Sequence, residues 1–157
     1  MRTIHTEIFI DASPELVWSV LVNFGAYRRW NPFIRSILVP RLDPGVPIQL
    51  SLYPPDSNAI TLQAVIKRVK PFEELTWTGH FLMPGLFDRE HSFQLEEKAG
   101  GVLFTQCERY RGVLLPLLWE RLRNRTGKGF ELMNQKIKER VEGKRIRKHF
   151  RFSPGSV

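Results

Sequence analysis

His91, Glu108 and Arg89 are the residues of this chain whose types and spacing could do chemistry together. They lie in two segments, 87–96 and 102–111, that alternate in character as the two faces of a strand do. In the first, Phe87, Arg89, His91, Phe93 and Leu95 contrast with Asp88, Glu90, Ser92, Gln94 and Glu96, so the odd set faces inward. In the second, the even set of Val102, Phe104, Gln106, Glu108 and Tyr110 is the counterpart, although Leu103 departs from the pattern. A two-residue loop at Ala99 and Gly100, or a four-residue loop over 98–101, sets His91 opposite Glu108, Arg89 opposite Tyr110 and Phe93 opposite Gln106. A loop made of Gly100 and Gly101 pairs His91 with Tyr110 instead, with the same face inward.

An imidazole, a carboxylate and a guanidinium in an aromatic-lined interior are costly unless they meet one another, water or a ligand. Two readings stand. In one, His91 and Glu108 orient a ligand carbonyl or hydroxyl, or act as general acid and base, with Arg89 steadying an enolate or carboxylate. In the other they form an internal hydrogen-bonded cluster that fixes sheet register, and Arg89 snorkels to the mouth of the interior. Trp77, Phe81, Phe93 and Phe104 are core or cavity wall. Met133 is an adaptable wall or an ordinary core residue, and Trp30 anchors the turn after the first helix.

Other chemistry finds little support. The histidines are His5, His80, His91 and His149, without His-Glu-x-x-His spacing, and Cys107 is the single cysteine, so neither a metal site nor a disulfide framework is expected. Thr126-Gly127-Lys128-Gly129 superficially resembles a phosphate loop but lacks its earlier glycine and the following Ser or Thr. No dinucleotide fingerprint is present, and no cofactor is expected.

The elements that must position these residues follow from the pattern. Thr3 to Ile10 alternates as a half-buried strand, and Ser13-Pro14-Glu15 starts a short helix carrying Leu16, Val17, Val20, Leu21 and Phe24. Extended segments follow at 33–39, around Ile48, Leu50 and Leu52, at 60–69 and at 74–82, punctuated by Pro44-Gly45, Pro54-Pro55-Asp56, Pro71 and Pro84-Gly85. With the two strands of the candidate cluster, they make an antiparallel meander. After Gly112 the period changes. Leu118, Leu122, Phe130, Met133, Ile137 and Val141 share a helix face, so 116–142 reads as a helix of about 27 residues, or ~40 Å. Gly127 and Gly129 each cost about 1 kcal/mol relative to Ala in a helix, so an interruption there, as a bend or a close approach to the sheet, is expected.

The chain has 157 residues, 42% of them apolar and 11% aromatic, which is enough for one cored domain and excludes a disordered or collagenous polypeptide. No apolar stretch approaches the ~20 residues that cross a bilayer, and no secretory apolar block opens the chain, so a cytoplasmic setting is expected. The net charge is +8. Lys144, Arg145, Arg147, Lys148 and Arg151 carry much of it in a segment, 143–157, without acids, which reads as a flexible basic tail after a domain over 1–142. A specific nucleic-acid groove is not expected; transient contact with a membrane surface or RNA through the tail is the remaining role for that charge.

Ala12-Ser13-Pro14-Glu15 with Val17-Trp18, Tyr27 with Trp30-Asn31-Pro32-Phe33, Leu75-Thr76-Trp77 with Gly79, His91-Ser92-Phe93-Gln94-Leu95, and Gly129-Phe130-Glu131 with Met133-Asn134 occur in this order along the chain. In these pieces the sequence resembles the START-like superfamily (SRPBCC, helix-grip fold), within it the polyketide cyclase/dehydrase-like branch of small bacterial proteins. The resemblance implies an α+β fold in which a curved seven-stranded antiparallel sheet wraps a long C-terminal helix, with short helices after the first strand. It also implies a cavity between sheet and helix for a hydrophobic small molecule, lipid-like, sterol-like or aromatic. The ligand-contacting set expected on this basis is Trp77, Phe81, Arg89, His91, Phe93, Phe104, Gln106, Glu108, Tyr110, Leu118, Leu122, Phe130 and Met133. Carriage of that ligand is the leading expectation. A polyketide cyclase or dehydratase using the same cavity is the alternative, and an adaptor acting through the basic tail a third. The apolar segments around 83–87 and 112–119 either cap the interior or form a rim that meets a membrane, a partner or a second copy.

Overall fold

The computed structural model describes residues 1–151, with side chains through residue 147. The chain runs β1 (Arg2–Ile10), α1 (Pro14–Leu21), a 3-10 turn (Phe24–Ala26), α2 (Tyr27–Trp30), β2 (Ile34–Leu38), β3 (Pro47–Leu52), β4 (Ile60–Lys70), β5 (Glu74–His80), β6 (Asp88–Lys98), β7 (Gly101–Arg111) and α3 (Leu115–Arg151). The strands form one antiparallel sheet in the order β1-β7-β6-β5-β4-β3-β2, so β1 closes back beside the last strand while the others follow one another as a meander. The sheet curls into a half-barrel around α3, the helix-grip arrangement.

Local chemistry sets the corners. Ser13 Oγ accepts a hydrogen bond from the Leu16 amide and Pro14 occupies the first turn, which starts α1 where the sequence signals it. After α2, the Asn31 side-chain oxygen accepts from the amides of Phe33 (3.0 Å) and Ile34 (2.9 Å), turning the chain into β2. Trp30 packs edge-on against Tyr27, 5.0 Å between centroids, as the anchor of this turn. The β6–β7 loop is Ala99-Gly100, with Gly100 at φ +83°, and the resulting register pairs His91 with Glu108, Arg89 with Tyr110 and Phe93 with Gln106.

The helix departs from expectation. It is uninterrupted from Leu115 to Arg151, through Gly127 and Gly129. A Cβ on Gly129 would stand 2.3 Å from Phe33 Cδ2, so this glycine lets the buried Phe33 ring reach the helix backbone; the close approach is real, to the entrance of β2, and no break accompanies it. Gly127 is looser, with Ile4 Cγ2 4.0 Å from a Cβ position. Thr126-Gly127-Lys128-Gly129 is helical throughout. Gly143, at the expected domain boundary, lies within the same helix, and Arg145 pairs with Asp11 at 2.9 Å. The end of the basic segment, 152–157, lies outside the described residues.

The C-terminal half of α3 is clamped to the sheet. Phe130, Met133, Ile137 and Val141 are fully buried, and Glu142 accepts from the Asp11 amide (3.0 Å) and from Lys138 (2.6 Å). Burial raises the Glu142 carboxyl, but Lys138, the Asp11 amide and Arg145 outweigh it and hold the group below its ordinary value. The N-terminal half is looser, with Leu118, Trp119 and Leu122 only half-buried. Beside it the 112–117 connection is bonded to the β5–β6 turn through Val113 N–H to Gly85 O (3.2 Å) and Leu114 N–H to Leu86 O (3.1 Å). Around this junction Phe81, Leu82, Met83, Val113 and Leu117 are exposed.

Candidate functional site

The inward faces of β6 and β7 carry a line of polar groups beneath α3. Gln106, Glu108 and Tyr110 are all buried, as is His91 across the ladder. Gln106 Nε2 donates to Asn134 Oδ1 (2.5 Å) and to the Phe130 carbonyl (3.3 Å), and Asn134 Nδ2 donates to Thr6 Oγ1 (3.1 Å), which ties β7, α3 and β1 together. One turn of sheet further on, Tyr110 O–H donates to Glu108 Oε2 at 2.9 Å. His91 Nδ1 lies 3.8 Å from the same carboxylate oxygen, beyond hydrogen-bond distance.

Burial alone would raise the Glu108 carboxyl. His91 beside it, the charge of Arg89 and the Tyr110 hydroxyl outweigh that effect and leave it below the ordinary carboxylate value. Tyr110 moves the other way. Burial and the adjacent Glu108 charge push its hydroxyl well up, against a smaller opposing effect from Thr126 of α3 and Arg89. The pair is therefore an ionised carboxylate accepting from a neutral phenol. Two interior atoms, His91 Nε2 and Gln106 Oε1, are buried with no hydrogen-bond partner among the described residues.

Aromatic packing surrounds the line. The His91 ring stacks on Trp77 at 4.8 Å and meets Phe93 and Phe130 edge-on at 4.5 and 5.1 Å, while Phe93 stacks on Phe104 at 5.8 Å. These rings pack on one another between sheet and helix, and Trp77, Phe93, Phe104, Phe130 and Met133 are buried in the hydrophobic core. The looser level is that of Tyr110, Phe87, Trp119 and Leu122. Here Phe87 stacks on Tyr110 at 5.7 Å, Trp119 meets Tyr110 edge-on at 6.3 Å, and the Arg2 guanidinium lies 5.0 Å over Trp119.

The structure thus brings Arg89, His91, Gln106, Glu108 and Tyr110 to one face, with Leu118 and Leu122 half-buried along the helix. Arg89 is half-buried, and its Nε lies 3.4 Å from where a Gly79 Cβ would stand, so Gly79 leaves room for it. Phe81 does not join the wall: β5 ends at His80, Leu82 takes a left-handed backbone (φ +61°), and Phe81 is 56% exposed in the turn. Asn134, Thr6, Thr126, Phe87 and Trp119 stand outside the ligand-contacting set expected from sequence. Asn134 had a signal, being the polar residue among the apolar helix positions 130, 133, 137 and 141.

Concavities also lie on the surface of the described residues. The one of about 460 Å³ is lined by residues of β4 to β7, Arg89 among them, and there Glu90 is bonded to Lys67 and to Arg109. Among the described residues no group of three or more His, Cys, Asp or Glu side chains could hold a metal ion, and no helix is long and apolar enough to cross a membrane.

A family model described as polyketide cyclase / dehydrase and lipid transport matches residues 1–142. No curated protein sequence matches the chain. Among solved structures, TTHA0849 from Thermus thermophilus superposes with a TM-score of 0.71 at 12% identity, covering 90% of this chain and 98% of that one. The Zhui aromatase/cyclase from Streptomyces sp. R1128 gives 0.72 at 12% identity, covering 90% and 93%. The di-domain ARO/CYC BexL from the BE-7585A biosynthetic pathway gives 0.73 at 14% identity, covering 90% of this chain and 50% of that one. At such identities these likenesses show a common fold.

Proposed function

The chain belongs to the polyketide cyclase/dehydrase and lipid transport family, and from that premise we propose that it binds and carries a hydrophobic small molecule bearing a carbonyl or hydroxyl group. The ligand sits between the sheet and the N-terminal half of α3, its apolar body against Phe87, Trp119 and Leu122 and its polar end toward His91, Glu108 and Tyr110. The observation that carries this reading is His91 Nε2, a buried atom beside Glu108 without a hydrogen-bond partner among the described residues. Such an atom costs roughly 1–3 kcal/mol unless a polar group completes it. Half-burial of Leu118, Trp119 and Leu122, against the tight packing of the C-terminal half of α3, supports placing the ligand at that end.

A second reading shares the site. An ionised carboxylate within reach of an imidazole and a phenol is a proton-transfer set, which supports cyclisation or dehydration of a polyketone chain held there. Titration with 1,8-dihydroxyanthraquinone and with unsubstituted anthracene, followed by tryptophan fluorescence, tests the binding claim. The H91F/E108L variant is expected to bind the hydroxylated ring system about tenfold more weakly and anthracene no worse, one lost charge-assisted hydrogen bond being equivalent to roughly that factor. Equal changes for both compounds would overturn the proposed polar contact. Turnover of a poly-β-ketone thioester that disappears in the same variant establishes the second reading.

A further inference from the structure

A second concavity, of about 440 Å³, lies between α2 and the C-terminal part of α3 and shares no lining residue with the polar line. Five of its eight lining residues are basic. Lys136, Arg140, Lys144 and Arg147 recur at steps of four, four and three residues, which places them on one helix face over ~16 Å, and Arg29 of α2 faces them. Glu139 is the acid among the lining residues, and it is taken by Lys136 at 2.8 Å.

The contrast with the rest of α3 is informative. Arg123 pairs with Glu120, Lys138 with Glu142 and Arg145 with Asp11. Arg29, Arg140, Lys144 and Arg147 have no acidic partner among the described residues. Like charges at successive helical turns repel, and Arg140 and Lys144 are half-buried, so the row is unfavourable until an anion enters it. Two further features fit an occupant. Trp30 lines the same concavity and is 9% exposed, so a flat apolar ring edge floors the groove between the cations. Gly143 also lines it, and a Cβ there would meet nothing within 4 Å, so the helix leaves its wall bare at the middle of the basic row.

We infer that this groove binds a small anion carrying clustered phosphate groups, a soluble oligophosphate or the multiply phosphorylated headgroup of a lipid. Cations converging on a concavity suit a compact polyanion; a long nucleic-acid backbone or a flat membrane face would be met by a convex or extended surface. Arginine forks supply bidentate contacts to phosphate oxygens, with Lys144 as a point charge between them. The site is independent of the sheet–helix ligand.

Calorimetric titration of the full chain with sodium tripolyphosphate tests it. Binding that weakens with added salt is expected, about tenfold weaker or more for each of Arg140→Gln and Lys144→Gln. Gly143→Leu keeps every charge but fills the groove. It is expected to abolish binding with the melting temperature unchanged or raised, since Leu is the better helix former. Capture on phosphatidylcholine vesicles doped with phosphatidylinositol bisphosphate, reversed by tripolyphosphate, identifies a headgroup as the source; absence of capture alongside tripolyphosphate binding identifies a soluble anion. The inference is overturned by no tripolyphosphate binding, by binding that Gly143→Leu leaves intact, or by RNA binding that tripolyphosphate does not compete.

Discussion

At the scale of single residues, Glu108 decides how the interior behaves with pH. Its ionised form accepts from Tyr110 and faces His91 inside a low-dielectric space, and its folded pKa lies below the ordinary 4.5. A depressed carboxyl contributes stability that is complete above the unfolded pKa and is lost as pH falls through the folded one. Glu108→Gln keeps an acceptor but not the charge, and is expected to lower stability at neutral pH by roughly 1–3 kcal/mol. In urea unfolding at a series of pH values, the gap between wild type and variant should close as the pH drops below about 4.5. A gap that widens on acidification would mean that burial, and not the neighbouring donors, governs this carboxyl.

At the scale of elements, α3 is held by what its glycines permit. Gly129→Ala sets a methyl group against the buried Phe33 ring, and the overlap exceeds the ~1 kcal/mol gained in helix propensity, so a net loss of about 2 kcal/mol is expected. Gly127→Ala meets only ordinary contact and is expected to gain up to about 1 kcal/mol. Denaturation midpoints of opposite sign check the pair. The same glycines show where reading from sequence stops. Alternation in 87–96 and 102–111 fixes which face points inward and leaves two registers, His91 opposite Glu108 or Tyr110; the Ala99-Gly100 loop selects the first. Propensity is local, and at Gly127 and Gly129 it allows either a bend or a close approach; the Phe33 ring that makes it a close approach at Gly129 comes from far away in the chain. Phe81 was misplaced because alternation was carried past His80, where the left-handed backbone of Leu82 ends the strand. The basic groove was hidden for a related reason: Arg29 and Trp30 meet Arg140 and Lys144 only once the sheet has closed.

At the scale of the whole molecule, positive charge is concentrated on a helix whose last fully buried described residue is Val141. Ending the chain after Glu142 removes Lys144, Arg145, Arg147, Lys148 and Arg151 and lowers the net charge from +8 to +3. The exposed Arg145–Asp11 pair contributes under about 1 kcal/mol, so the melting temperature should fall by less than about 4 °C while tripolyphosphate binding is lost. Collapse of the fold on truncation would show that the segment beyond Glu142 belongs to the core.

The sheet does not close on itself, and its two outermost strands differ in how they are protected. β2 is five residues long, carries Arg35, and shifts register between Ile34 and Ser36; on β1 the ammonium of Lys138 occupies the Phe9 carbonyl. Short, kinked or cation-capped margins offer a poor template for another polypeptide's backbone. Crowded preparations of this protein should accordingly resist fibrillar stacking, even with so many bulky apolar groups at the surface.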